Sequence, residues 1–245
     1  MFVSKVYCEI TMDKYGYVKR NYLELISEIK EYESRYERKI TLVSVTKSGS
    51  DDEVIALAEA GAECIGENRP QELRRRGDLL KERGLTPRLH EIGNLQRNKV
   101  KLIIDSVDLI HSVDNFRLAE QISKLAVARG LSIPVLIEVN SAKEPMKDGV
   151  MPEDAESLFL EIRELDGIRV AGIMTMGPAL DNPEDMRPYF SLTKKIFDNI
   201  KARYGFDGDG ILSMGMSDSY IVAIEEGSTL VRVGRKLFDK TKGDR

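Results

Sequence analysis

One feature constrains this chain more than any other: short apolar runs return at a regular interval. They span 39–45, 63–66, 88–92, 108–111, 133–139, 169–174, 210–214 and 229–233, and their onsets are about 27 residues apart. Several are rich in β-branched residues and read as strands. Helical stripes fill the gaps. Leu118, Ile122, Leu125 and Ala126 share one face, as do Ala155, Leu158, Phe159, Ile162 and Leu165, and Tyr189, Leu192, Thr193, Ile196 and Ile200. Val18, Tyr22, Leu25, Ile26 and Ile29 form a further stripe before the first strand, predicting an N-terminal helix over about 15–35. Gly61, Gly84, Gly130, Gly167, Gly205 and Gly227 mark helix ends. Strands that alternate with helices pair in parallel through right-handed crossovers. Eight of them in a chain of 245 residues suit an α/β fold of the (β/α)8 TIM-barrel type, with the barrel over about 40–238. An open doubly wound sheet is the rival, which strand count alone does not exclude. No linker or repeat divides the chain, so residues 1–245 are expected to form one domain.

Composition narrows the function. With 42% hydrophobic and 32% charged residues, the chain is neither disordered nor a disulfide scaffold. No apolar run reaches the roughly 18 residues of a membrane helix, and residues 1–17 carry no signal-peptide pattern. A net charge of −4 argues against a nucleic-acid partner. Two cysteines, Cys8 and Cys64, fit free thiols in a reducing cytoplasm. Arg74, Arg75 and Arg76 read as a solvated helix face.

Barrel chemistry belongs at the C-terminal ends of the strands. Lys47 ends the first strand, where uncharged walls would favour a neutral amine able to form a Schiff base with a carbonyl. An ordinary surface lysine is the plainer alternative. The loops after strands seven and eight, 213–217 and 234–235, offer serine hydroxyls and glycines suited to a phosphate. A helix cap by Ser217 is the plainer reading there. Together they suggest a ligand with an aldehyde at one end and a phosphate at the other. His90 and His111 are the only histidines, and no metal-ligand spacing occurs. His90 reads as a core residue rather than a catalyst. Met174, Met176, Met214 and Met216 read equally well as core packing or as lining of the barrel mouth.

Several segments resemble successive motifs of one family: Leu42-Val43-Ser44-Val45-Thr46-Lys47, Gly66-Glu67-Asn68, His90-Glu91-Ile92-Gly93-Asn94-Leu95-Gln96, His111-Ser112-Val113-Asp114, Leu212-Ser213-Met214-Gly215-Met216-Ser217-Asp218 and Ser228-Thr229-Leu230-Val231-Arg232-Val233-Gly234. The family is that of the pyridoxal 5′-phosphate homeostasis proteins, and the resemblance runs from about residue 18 to 238. It implies a barrel like that of alanine racemase, with pyridoxal 5′-phosphate (PLP) at its mouth. By position, Lys47 would carry the cofactor as a Schiff base, and Asn68 would lie beside the pyridine ring. Ser213 and the Met214 amide would hold the phosphate together with the amides of Gly234 and Arg235. Arg232 would face the pyridine nitrogen. Leu89-His90-Glu91 stands where family members usually have Trp-His-Phe, and Arg69 where Tyr is frequent. Arg235 replaces a small residue, so a hydroxyl contact is lost there while an amide remains.

Arginine only donates hydrogen bonds. Arg232 would therefore keep the pyridine nitrogen unprotonated and weaken carbanion stabilisation. Racemases of this class add a base from a second domain, for which a chain ending at Arg245 has no room. The expectation is a cytoplasmic, monomeric PLP-binding protein without robust turnover. It would store, deliver or buffer the cofactor, with PLP-dependent apoenzymes as candidate recipients. A PLP-dependent amino-acid racemase or lyase, a Schiff-base aldolase without PLP, and an interaction module without cofactor are the alternatives.

Overall fold

The structure, a computed structural model, describes residues 14–241. The expectations for Cys8 and for a leader fall on residues outside that range.

Eight parallel strands follow one another around a closed barrel: β1 (Thr41–Val45), β2 (Cys64–Glu67), β3 (Arg88–Glu91), β4 (Leu109–Val113), β5 (Ile133–Glu138), β6 (Ile168–Met174), β7 (Ile211–Ser213) and β8 (Leu230–Val233). Thr41 to Ser44 of β1 lie opposite Leu230 to Val233 of β8. The other edge of β1 pairs with β2. Every strand edge is therefore used, which excludes the open doubly wound sheet. Val43, Cys64, Leu109, Leu136, Ala171, Met174 and Leu230 point inward and pack on one another. The alternate residues pack outward beneath the helices.

The described helices are α1 (Gly16–Tyr36), α2 (Asp51–Glu59), α3 (Pro70–Glu82), α4 (Phe116–Val127), α5 (Ala155–Ile162), α6 (Arg187–Tyr204) and α7 (Tyr220–Glu225). Local chemistry explains several starts. Ser50 and Glu53 form a reciprocal capping box on α2, and the Asn115 side chain caps α4. The six glycines expected at helix ends all adopt left-handed φ, between 65° and 101°. Two of the eight strands are not followed by an α-helix. β3 is followed by a 3-10 segment, Arg97–Leu102, and β8 by a 3-10 turn, Arg235–Leu237. The N-terminal helix makes good the second. Val18, Tyr22, Leu25 and Ile29 of α1 pack on Leu42, Val231 and Val233, beside Leu57 and Ile224. This helix covers the outside of the β8–β1 seam and so takes the place of an eighth barrel helix.

The buried face of α6 is Phe190, Thr193, Phe197 and Ile200, rotated from the stripe read in the sequence. The phenyl rings decide it. Burial of two Phe side chains outweighs that of Tyr189 and Leu192, and Phe197 stacks on Phe206 at 5.0 Å. Between Val135 and Leu136 the β5–β6 register shifts. Gly172 absorbs this irregularity with a φ of +155°, and a Cβ there would stand 1.9 Å from the Ile211 carbonyl oxygen. Gly172→Ala is expected to cost roughly 3 kcal/mol or more in denaturant unfolding. The same change at exposed Gly84, which shares a left-handed φ but has open space for a methyl, is expected to cost less.

Candidate functional site

The C-terminal ends of the strands enclose a cavity of about 660 Å³. Of the residues singled out in the sequence, Lys47, Asn68, Arg232, Gly234 and Arg235 line it together. Ser213 and Met214 do not.

Lys47 follows β1 in a tight turn closed by the Gly49 amide donating to the Thr46 carbonyl at 2.9 Å. The turn is held from behind. The buried Thr46 hydroxyl donates to Glu67 Oε1 at 2.5 Å. Arg76 of α3 donates to the carbonyls of Thr46 and Gly49, both at 2.7 Å. Its Nε lies 3.2 Å from Glu67 Oε1, within ion-pair range though not in hydrogen-bonding geometry. Arg76 is thus buried, which corrects the reading of 74–76 as a solvated face. Only Arg74 and Arg75 are solvated, paired with Asp78 and with Asp51 and Glu72. The reason lies in spacing: Arg76 falls on the helix face of Leu73 and Leu80, which turns toward the barrel. Lys47 itself is exposed at the rim. Among the described residues it has no ion-pair or hydrogen-bond partner. Asn68 is exposed after β2, and Gly93 lets the next loop approach it. A Cβ at 93 would lie 2.4 Å from the Asn68 carbonyl oxygen.

Ser213 is the last residue of β7 and points into the barrel. Its hydroxyl is fully buried between His111 Nδ1, at 3.1 Å, and Arg232 Nη1, at 2.5 Å. The Met214 amide donates to the Leu230 carbonyl at 3.1 Å, so the sheet already uses it. Past Gly215, Met216, Ser217, Asp218 and Ser219 form the wall instead. Ser217 does not cap α7. Its Oγ accepts the Gly234 amide at 3.2 Å and ties the loops after β7 and β8 together. The amides of Ser217, Asp218 and Arg235 have no protein acceptor among the described residues. The Arg235 guanidinium ion-pairs with Asp218 on the rim. The methionines divide: Met176 and Met216 line the cavity, while Met174 and Met214 are core. Among the described residues no cluster of His, Cys, Asp or Glu could hold a metal ion, and none of their helices is long and apolar enough to cross a membrane.

Residues 22–240 match the family model for the alanine racemase N-terminal domain. The pyridoxal phosphate homeostasis protein of Aquifex aeolicus is 40% identical over 220 residues, 90% of this chain and 95% of the relative. The chain belongs to the pyridoxal phosphate homeostasis protein family. Two solved structures share the fold. A Bifidobacterium adolescentis protein described as unknown has a TM-score of 0.83 at 36% identity, over 92% of this chain and 97% of that one. PipY from Synechococcus elongatus, solved with PLP bound, has a TM-score of 0.79 at 25% identity, over 91% of this chain and all of that one.

Two acidic residues went unassigned in the sequence, one on the cavity and one behind it. Glu138 ends β5 on the cavity wall. Burial pushes its carboxyl up to about 7, and Asp114 adds to this while Arg232 opposes it. The available signal was one carboxylate closing a strand whose other residues are uncharged. Glu91 is fully buried, with Oε1 accepting the Gly93 amide and Oε2 unpartnered. Burial raises its carboxyl to about 8, with the Gly93 bond opposing and Glu67 reinforcing. In the unfolded chain it ionises near 4.5. Between those values folding takes up a proton, so Glu91 lowers stability as pH rises from about 4.5 to about 8. Glu91→Gln is expected to raise the melting temperature at pH 8 by several degrees and to change it little at pH 4.5. Melting curves of the two proteins side by side check this, and Glu138, present in both, cancels.

Proposed function

We propose that the C-terminal cavity holds PLP and that this protein keeps, buffers or hands on the cofactor, without robust turnover. One observation carries the reading. A single cavity presents an unpaired primary amine, Lys47, and separately a loop pair whose amides at Ser217, Asp218 and Arg235 await an acceptor. The donor set fits the group: an amine for an aldehyde, amides and a guanidinium for a phosphate, and Val45, Ile92, Met176 and Met216 for a ring between them. Gly234 keeps the two loops close to β1, since a Cβ there would lie 3.0 Å from the Val45 carbonyl oxygen. The names of the relatives and PLP in the PipY structure support the same assignment. When bound, PLP supplies an aldehyde that condenses reversibly with an amine and a ring that draws electrons from what is attached to it.

Of the chain's own residues, Arg232 on the cavity wall would face that ring. Burial brings the Arg232 guanidinium down to about 10, partly offset by Glu138, so it stays cationic at neutral pH. A cationic donor holds an unprotonated ring nitrogen, the form that withdraws electrons least. This favours keeping over turning over. On this reading the phosphate would meet the free amides of Ser217, Asp218 and Arg235 rather than that of Met214, because β7 continues through Ser213 and the Met214 amide is spent on the Leu230 carbonyl. The reading includes a cytoplasmic, monomeric protein with PLP-dependent apoenzymes as recipients. Glu138 favours a second reading. A carboxyl near 7 on the cavity wall is matched to proton transfer at neutral pH, as a weak amino-acid racemase or lyase would need. Exchange of a substrate α-proton into heavy water, lost in Glu138→Gln, would show it.

Borohydride reduction of the purified protein with PLP, followed by peptide mass analysis, is expected to place the label on Lys47. Lys47→Ala is expected to lose it. Pyridoxal without its phosphate is expected to bind far more weakly, and equal binding would overturn the phosphate site. Ser217→Ala removes one donor to a charged group and is expected to weaken PLP binding by about 1–3 kcal/mol, read by equilibrium dialysis.

A further inference from the structure

Four buried side chains form one unbroken string through the barrel. Arg232 Nη1 donates to Ser213 Oγ at 2.5 Å. Ser213 Oγ lies 3.1 Å from His111 Nδ1, and His111 Nε2 lies 3.0 Å from His90 Nδ1. All four are at most 3% exposed. Arg232 lines the C-terminal cavity. His90 lines a second cavity of about 640 Å³ at the opposite end, among Arg88, Asp108 and Arg169.

Donor counting fixes the direction of the string. A guanidinium has no acceptor, so the Ser213 oxygen must accept from Arg232. The hydroxyl has one hydrogen, and His111 Nδ1 is the acceptor the structure offers it. His111 therefore carries its proton on Nε2 and donates to His90 Nδ1. His90 in turn carries its proton on Nε2, toward the second cavity. The competing arrangement puts a proton on Nδ1 of both rings. Ser213 then accepts twice, and its own hydrogen is buried without a partner, at a cost of about 1–3 kcal/mol. Burial and, on His111, the neighbouring His90 and Arg232 keep both rings neutral. The same string fixes the guanidinium. Nη1 is held by Ser213 and Nη2 by the Thr175 carbonyl at 2.9 Å, while Nε–H has no protein acceptor among the described residues.

We propose that His111 and His90 are positioning residues that act through Ser213 to aim the Arg232 guanidinium at the ring nitrogen of the cofactor. The proposal rests on the reading that PLP occupies the C-terminal cavity. Its own content is the tautomer chain and its effect on the ring.

The test has two arms, so that the proposal and the reading beneath it fail separately. In cofactor-free protein carrying ¹⁵N-histidine, long-range proton–nitrogen correlation at neutral pH is expected to show both rings protonated on Nε2. Ser213→Ala is expected to move the His111 Nδ1 resonance to that of an acceptor without a donor. A proton on Nδ1 of either ring overturns the proposal. In the second arm PLP is added to wild type, His111→Phe, His111→Asn and Ser213→Ala, with circular dichroism confirming the fold. His111→Phe and Ser213→Ala are expected to bind PLP roughly tenfold more weakly and to show a displaced absorption maximum of the bound cofactor. His111→Asn keeps an acceptor for the Ser213 hydroxyl and is expected to return the maximum toward wild type. If His111→Phe unfolds, Ser213→Ala and His111→Asn carry the comparison. A Lys47 label with an absorption maximum that none of the variants moves overturns the positioning role. Absence of any label in wild type overturns the cofactor reading instead, whatever the tautomers.

Discussion

The parallel pairing of β1 with β8 is the contact on which everything functional in this molecule depends. It joins the first strand to the last and converts a ribbon of βα units into a closed wall. Lys47 projects from one side of that seam and Arg232, Gly234 and Arg235 from the other, so the register Thr41–Leu230 to Ser44–Val233 sets the cavity. Hydrogen bonds between strands are individually modest. What makes closure unavoidable is the apolar surface of β1 and β8, which needs a cover. α1 supplies it, with Val18, Tyr22, Leu25 and Ile29 lying across the seam where a terminal barrel helix would otherwise be.

The loops above the seam are held by buried polar contacts. Buried polar groups that find partners fix geometry more sharply than apolar packing does. Arg76 and Glu67 act in this way behind Lys47. Arg76 reaches two carbonyls of the turn, and Glu67 holds the Thr46 hydroxyl. The amine at the rim thus stands on a fixed backbone while its own side chain stays free. On the opposite wall Ser217 does the same by accepting the Gly234 amide. An interior string of histidine, serine and arginine holds the floor. Glu91 departs from this pattern: it is a buried carboxyl with one oxygen unpartnered.

Much of this was legible in the residues. The eight apolar runs gave strand positions to within a residue or two, because β-branched clusters bounded by Gly and Pro have few other conformations that bury them. Lys47 was legible by its place at the end of such a run, and Gly234 by its place after another. Ser213 was not. Whether the wall begins at 213 or at 216 depends on how far β7 extends, and that is set by pairing with Leu230, a long-range contact with no local signature. Arg76 was misread for a similar reason. Three successive arginines look alike until a helix face is turned toward a carboxylate.

Order and spacing of hydrophobic residues, then, determined by themselves that strands alternate with helices, where each begins and which residues stand at the strand ends, since burial and backbone hydrogen bonding act locally and periodically. Only the tertiary structure decided that the sheet closes, that α1 serves as the missing helix, and that the two histidines share one string with Ser213 and Arg232. Those outcomes turn on which groups far apart in the chain come within hydrogen-bonding or packing distance of each other, and no periodicity in a linear sequence encodes that distance.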